Sequence, residues 1–326
     1  MTFAGTVKKE ILKNFKLNPC CYVASLSAFI HSAGSLNISS GMVTYSVSAD
    51  NKEVIDFVLK VSSKLAYADL SNTKIVESSI AGNPRYEVKI DSEYGMKLLS
   101  KTSIISIADD GRIEINRGTD NYLLSEDCCK RAYIKSAFLG AGSVSVPCEV
   151  DFNAESSHNS GYHFEMEFTS EEQANSILEL LCYFNIFAKK IERRDNFVVY
   201  LKESESISDM LSLLGATVSM LELQNEKAKR ELRNNVNRQS NCINANIDRA
   251  VNASFKQMEV IGIIETTVGL MALSPALYEV VELRKRYPES SLQELAEISG
   301  LSKSTINQRF RNLARIAIDI SGGDYE

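Results

Sequence analysis

Lys303, Ser304, Thr305, Asn307, Gln308 and Arg309 crowd one short stretch near the C-terminus, and Arg311 and Arg315 follow on the same helical face. Together they offer ammonium, hydroxyl, amide and guanidinium donors with no carboxylate among them. Such a set suits the reading of base edges and the gripping of phosphate oxygens. The residues around it say how it would be held. Ser291 with Glu294 has capping-box spacing and starts a helix. Leu292, Leu295 and Ala296 supply that helix's apolar stripe, and Gly300 supplies the left-handed residue that ends it. Ser302 then caps a second helix whose inner face is Ile306, Phe310, Leu313 and Ile316. Ala296 is small where the two helices must cross. Two helices joined this tightly form a helix-turn-helix, which lays the N-terminal end of its second helix in the major groove; the competing reading is a plain amphipathic helical hairpin. Gln257–Met271 and Pro275–Tyr287 are expected to be its supporting helices.

Charge agrees with this placement. The 326-residue chain carries a net −6, but the deficit is uneven. Residues 217–326 hold 14 basic and 14 acidic side chains, so residues 1–216 hold 22 and 28. Two local patches of about +4 stand out in the C-terminal part, at Lys227–Arg249 and Ser302–Ala317. The first is also rich in asparagine, which disfavours a long regular helix, so a helix that breaks near Asn234 into a polar linker is expected over 217–255. Arg233, Asn237 and Arg238 are its candidate phosphate contacts. An apolar content of 44% with few prolines describes globular domains, not a disordered chain. The longest apolar window, Val260–Leu277, is interrupted by Glu265 and Pro275, and Met1–Lys16 scatters its lysines, so neither a membrane span nor a signal peptide is expected. The seven cysteines lack disulfide-framework spacing, which fits a reducing cytoplasm.

Residues 20–38 overlay residues 128–146 at a constant offset of 108 without a gap. Both cysteine pairs match, as do Ala24/Ala132, Ala33/Ala141, Gly34/Gly142 and Ser35/Ser143. Each copy reads as a helix, a glycine stop and a strand. The elements after the two copies also match: a second strand, a helix (capped by Asp50 in one, by Ser170 in the other), two strands and a helix. Small residues cluster where the two repeat helices would meet, at Ala24, Ala28, Ala33 and Gly34 and at Ala132, Ser136, Gly140 and Gly142, so the helices are expected to pack closely about a pseudo-twofold axis above antiparallel strands. This order, αββαββα twice, resembles the LAGLIDADG homing-endonuclease fold, with Leu26–Gly34 and Ile134–Gly142 in the motif positions. In those nucleases an acid before the final glycine holds the divalent metals. Here those positions are Ala33 and Ala141, and a methyl group cannot ligate Mg²⁺, so no enzyme activity is expected.

The fold class is therefore α+β: a repeat domain over 1–216 (repeats about 20–110 and 128–215), the basic linker, and an all-α helix-turn-helix domain over 256–321. Together with the stretch Arg233–Arg238, Asn241–Cys242 and Ala245–Asn246, this resembles the bacterial WhiA family over nearly the whole chain. Thr305, Gln308 and Asn312 depart from the Gly, His and Lys usual there. The resemblance implies a double-stranded-DNA-binding regulator of transcription, linked to sporulation, cell division or chromosome segregation, working in the cytoplasm at the nucleoid and able to recruit a second regulator or a division protein. The alternative is a division adaptor whose DNA binding is secondary.

Other chemistry is sparse. His31 reads as a packed or interfacial histidine. His158 and His163 with Cys148 and Cys182 lack the spacing of a zinc site, and the pairs Cys20–Cys21 and Cys128–Cys129 read as inherited core residues, so neither metal nor cofactor is expected. Asp109-Asp110-Gly111 is a turn.

Overall fold

The computed structural model describes residues 2–39, 42–80, 82–147 and 161–322. Two compact units are present, residues 1–228 and 229–326.

The first unit is built twice over. Helix α1 (Phe3–Asn14) precedes the first repeat: α2 (Cys21–Ala33), β1 (Gly34–Ser39), β2 (Met42–Ala49), α3 (Lys52–Ala66), β3 (Ile75–Ile80), β4 (Asn83–Ile90) and α4 (Ser92–Lys101). A small hairpin, β5 (Ile105–Ile107) and β6 (Ile113–Ile115), leads to the second: α5 (Asp127–Ala141), β7 (Gly142–Ser145), β8 (His163–Phe168), α6 (Glu171–Tyr183), β9 (Lys189–Arg193), β10 (Asn196–Leu201) and α7 (Ser204–Leu214). Each repeat forms its own antiparallel sheet, in the orders β1-β2-β4-β3 and β7-β8-β10-β9. The expected unit recurs with the same topology, and the turn at Asp109–Gly111 joins β5 to β6 with Gly111 at φ 81°. The cap of α3 is corrected by one residue: Asn51 accepts from Glu53 N, while the Asp50 carboxylate pairs with buried Lys8 of α1 at 3.0 Å. Ser170 does cap α6.

Helices α2 and α5 pack along their length. Ser25 Oγ and Ser136 Oγ meet at 2.7 Å in the buried seam. At Gly140 an added Cβ would lie 2.4 Å from Ser32 Oγ and 3.1 Å from Ala33 Cβ. Gly34 and Gly142 serve another purpose. Each passes straight from helix to strand with extended backbone, and a Cβ there would lie 2.4 Å from the Ile30 carbonyl oxygen or 2.6 Å from that of Phe138. These glycines are needed for close approach of helix to strand, not for a left-handed turn.

Helix α8 (Thr217–Thr267) is continuous, and the break expected near Asn234 does not occur. Its first turn is held by Glu10 of α1, whose carboxylate accepts from Val218 N at 2.7 Å and from Ser219 N at 2.9 Å. Its last turns are held by Ile261 and Ile264 in the second core. With both ends anchored, the asparagine-rich stretch needs propagation and not nucleation, and each Asn costs only about 0.6 kcal/mol against Ala.

The second unit adds α9 (Pro275–Arg286), α10 (Leu292–Ser299) and α11 (Lys303–Ser321) to the end of α8. Its core joins Ile261, Ile264, Val280, Val281, Leu295, Ala296, Ile306, Phe310, Leu313 and Ala317. Ala317 takes the fourth inner position on α11, while Ile316 is half-buried. The supporting helix expected over Gln257–Met271 is the end of α8, which stops at Thr267. No described helix is long and apolar enough to cross a membrane.

Candidate nucleic-acid interface

The two short helices are cut by their caps. Ser291 Oγ accepts from Glu294 N at 3.3 Å, and Glu294 returns the bond from Ser291 N at 2.6 Å. Those bonds to Ser291 hold the Glu294 carboxyl below the usual glutamate range. Gly300 ends α10 at φ 69°, and Ser302 Oγ accepts from Thr305 N at 3.1 Å to begin α11. From there the sequence decides which way each side chain points. Ile306, Phe310, Leu313 and Ala317 recur at helical spacing and are buried. Ser304, Gln308, Arg311 and Arg315 recur on the opposite side of α11, at i, i+4, i+7 and i+11, and all four are exposed.

Not all of the expected contact residues are equally available. Lys303, Arg311 and Arg315 are exposed and hold no ion pair among the described residues. Ser304 and Thr305 place their hydroxyls against Ser302 Oγ at 2.7 and 2.8 Å, which braces the helix start. Gln308 bonds Asn312 at 3.4 Å, and Asn307 is half-buried. Arg309, expected among the DNA contacts, is less available than its neighbours: its side chain is only 20% exposed and its Nη1 donates to Glu279 Oε2 at 2.7 Å. The guanidinium therefore braces α11 against α9. On α8, Arg233 and Asn237 fall one turn apart on one face, while Arg238 lies about 100° further round.

Arg284, outside the expected set, is 1% exposed at the end of α9. Its Nε donates to Gln257 Oε1 at 2.9 Å, and its Nη1 reaches the carbonyl oxygens of Ser290, Tyr287 and Pro288 at 2.5, 3.3 and 3.4 Å. The Pro288 oxygen also accepts from Ser254 Oγ. The guanidinium lies 5.5 Å from the Phe310 ring centre. One buried cation thus fixes the turn that delivers Ser291 and abuts the inner face of α11. In the sequence it is indistinguishable from its basic neighbours Lys285 and Arg286.

In the repeat unit, Ala33 and Ala141 are the last residues of α2 and α5. Among the described residues no three carboxylate or imidazole groups converge. His31 is packed as expected: Nδ1 is 3.0 Å from Tyr133 Oη, which accepts from Thr119 Oγ1 at 2.8 Å, and Nε2 faces the Asn116 carbonyl at 3.4 Å. Burial lowers its pKa from 6.5 to about 4, so it is a neutral structural group. Of the four residues weighed for zinc, His163 pairs with Glu165 at 2.9 Å, Cys182 is exposed, and Cys148 and His158 lie outside the described residues. The cysteine pairs are not simply core. Cys21 and Cys129 are buried, Cys20 is exposed, and the four Sγ atoms lie within 4.8 Å of one another. Burial pushes the Cys21 and Cys129 thiols up, the latter to about 12, while hydrogen bonding from Cys21 and Cys20 holds Cys128 below the ordinary thiol value.

Comparison with known proteins places both units. Residues 236–317 match the WhiA C-terminal HTH domain and residues 130–233 the WhiA LAGLIDADG-like domain. The chain is 34% identical to a probable cell division protein WhiA of Clostridium tetani, covering 98% of each chain. It is 33% identical to the protein of that name from Clostridium perfringens, covering all of both. Its fold is similar to the crystal structure of full-length DUF199/WhiA from Thermatoga maritima, with a TM-score of 0.53 and 23% identity over both whole chains. With one repeat unit, one capped pair of helices and full-length likeness to these relatives, the chain belongs to the WhiA family.

Proposed function

We propose that this protein is a sequence-specific, double-stranded-DNA-binding regulator tied to cell division, chromosome segregation or sporulation, and that it does not cut DNA. The observation that carries the reading is the exposed stripe Ser304, Gln308, Arg311 and Arg315 set opposite a buried one on α11, behind a capping box and a left-handed glycine. In a helix-turn-helix this stripe faces the groove, so Lys303, Ser304 and Gln308 at the N-terminal end meet base edges while Arg311 and Arg315 meet phosphates. Arg309 acts by holding the helix in place. The relatives' names supply the link to division. The lack of cutting follows from chemistry: the motif helices end in Ala33 and Ala141, and methyl groups supply no oxygen for a divalent ion.

Selection of bound sequences from a random duplex pool tests the base-reading claim. Gln308→Ala and Lys303→Ala should relax the selected site at one or two positions, each worth about 1–3 kcal/mol of discrimination. Enrichment of no sequence by the unaltered chain would refute it. A second reading, a division adaptor whose DNA binding is secondary, is favoured by Leu232, Val236, Ile243 and Ile247, which are exposed along α8. It expects α11 substitutions to leave division phenotypes untouched.

A further inference from the structure

The repeat brings Cys20, Cys21, Cys128 and Cys129 to the pseudo-twofold axis, at the opposite end of α2 and α5 from the two alanines. Three of the sulfur–sulfur distances are those a single ion would set, and the rest are not much longer. Cys20 and Cys128 are 3.6 Å apart, Cys20 and Cys21 3.8 Å, and Cys21 and Cys129 3.9 Å, and every pair lies within 4.8 Å. Four thiolates around one Zn²⁺ at about 2.3 Å form a tetrahedron with edges of about 3.8 Å. A disulfide needs about 2.0 Å, so none of these pairs is bonded. A polynuclear iron–sulfur cluster distributes its thiolates over separate irons and spreads them more widely than this.

We infer that these four cysteines form a structural zinc site that clasps the two repeat helices together. The ligands arrive two from each repeat, and Cys20 with Cys128, and Cys21 with Cys129, are equivalent at the offset of 108. Local spacing conceals such a site because the partners are brought together only by the symmetry of the fold. Zn²⁺ replaces the four thiol protons, leaving a tetrathiolate of net charge −2. That charge is offset by the positive ends of two helices: Cys20 is the N-cap and Cys21 the first residue of α2, and Cys128 and Cys129 lie in the first turn of α5. Exposed Cys20 gives the ion a way in. With all four positions taken by protein sulfur the site has no place for water or substrate, so it stabilises and does not catalyse.

Full-length protein purified from zinc-supplied cells under reducing conditions should carry about one zinc per chain by elemental mass spectrometry. Cys20→Ser/Cys128→Ser should lose it, and Cys182→Ser, altering an exposed cysteine outside the cluster, should keep it. Co²⁺ added to the metal-stripped chain should give the strong visible bands of a tetrahedral thiolate site, a readout that does not depend on the variants folding. A metal-poor native chain that gives only the weak spectrum of octahedral Co²⁺ would overturn the inference. So would a Cys20–Cys128 disulfide in the native protein.

Discussion

His31 should make the repeat unit acid-sensitive in a window where few other groups titrate. The imidazole is 8% exposed and bonded to Tyr133 Oη, and its pKa falls from 6.5 to about 4 because burial penalises the charged form. The folded chain therefore holds His31 neutral while the unfolded chain protonates it below pH 6.5. Its contribution is fully present above 6.5, is lost as the pH falls toward 4, and stays lost below. At about 1.4 kcal/mol per tenfold change in proton affinity, the full loss is about 3 kcal/mol, of which about 2 kcal/mol is felt at about pH 5. Urea unfolding followed by far-ultraviolet circular dichroism at about pH 7.5 and about pH 5 measures this directly when the chain is compared with His31→Gln. The unaltered chain should lose about 2 kcal/mol more than the variant between those pH values. Equal losses would refute the assignment of His31 as a buried neutral group.

Packing sets two further outcomes, and the missing acids set a third. Arg284→Met leaves the carbonyls of Tyr287, Pro288 and Ser290 without that donor, and should destabilise the helix-turn-helix unit by about 3 kcal/mol or more in thermal unfolding; a loss below about 1 kcal/mol would mean water replaces it. Gly142→Ala forces a methyl against the Phe138 ring and carbonyl and should cost about 1–3 kcal/mol, whereas Gly118→Ala, with a nearest neighbour at 3.7 Å, should be close to neutral. Supercoiled DNA incubated with Mg²⁺ and purified protein should remain uncut, and nicking that copurifies with the chain would show that oxygens other than the two missing acids hold metal.

The parts of the fold legible in the sequence are those whose signals are local or repeated. The offset of 108 carried both sheets and the packing of α2 on α5, because small residues at matched positions admit few other arrangements. The caps at Ser291, Gly300 and Ser302 marked α10 and the start of α11, because each satisfies backbone groups within three residues. What stayed hidden depends on partners distant in sequence. Arg309 reads in the sequence as one more DNA-facing cation, and its ion pair with Glu279, thirty residues earlier, leaves no local signal. The asparagines of α8 argued for a break, and anchoring by Glu10 at one end and the second core at the other outweighed them. Helix α1 leaves only a weak trace, Val7 and Ile11 at helical spacing, because buried Lys8 beside them depends on its distant partner Asp50.

The proposed function requires the exposed cations on α11 to grip duplex phosphates. Fluorescence-anisotropy titration of a labelled duplex selected from the random pool, across a salt series, tests it with the full chain and the pair Arg311→Ala/Arg315→Ala. Two lost phosphate contacts should weaken binding and flatten the slope of log Kd against log salt by about 1.8, while Arg309→Ala should leave that slope nearly unchanged. An unaltered slope in the double variant would contradict the account.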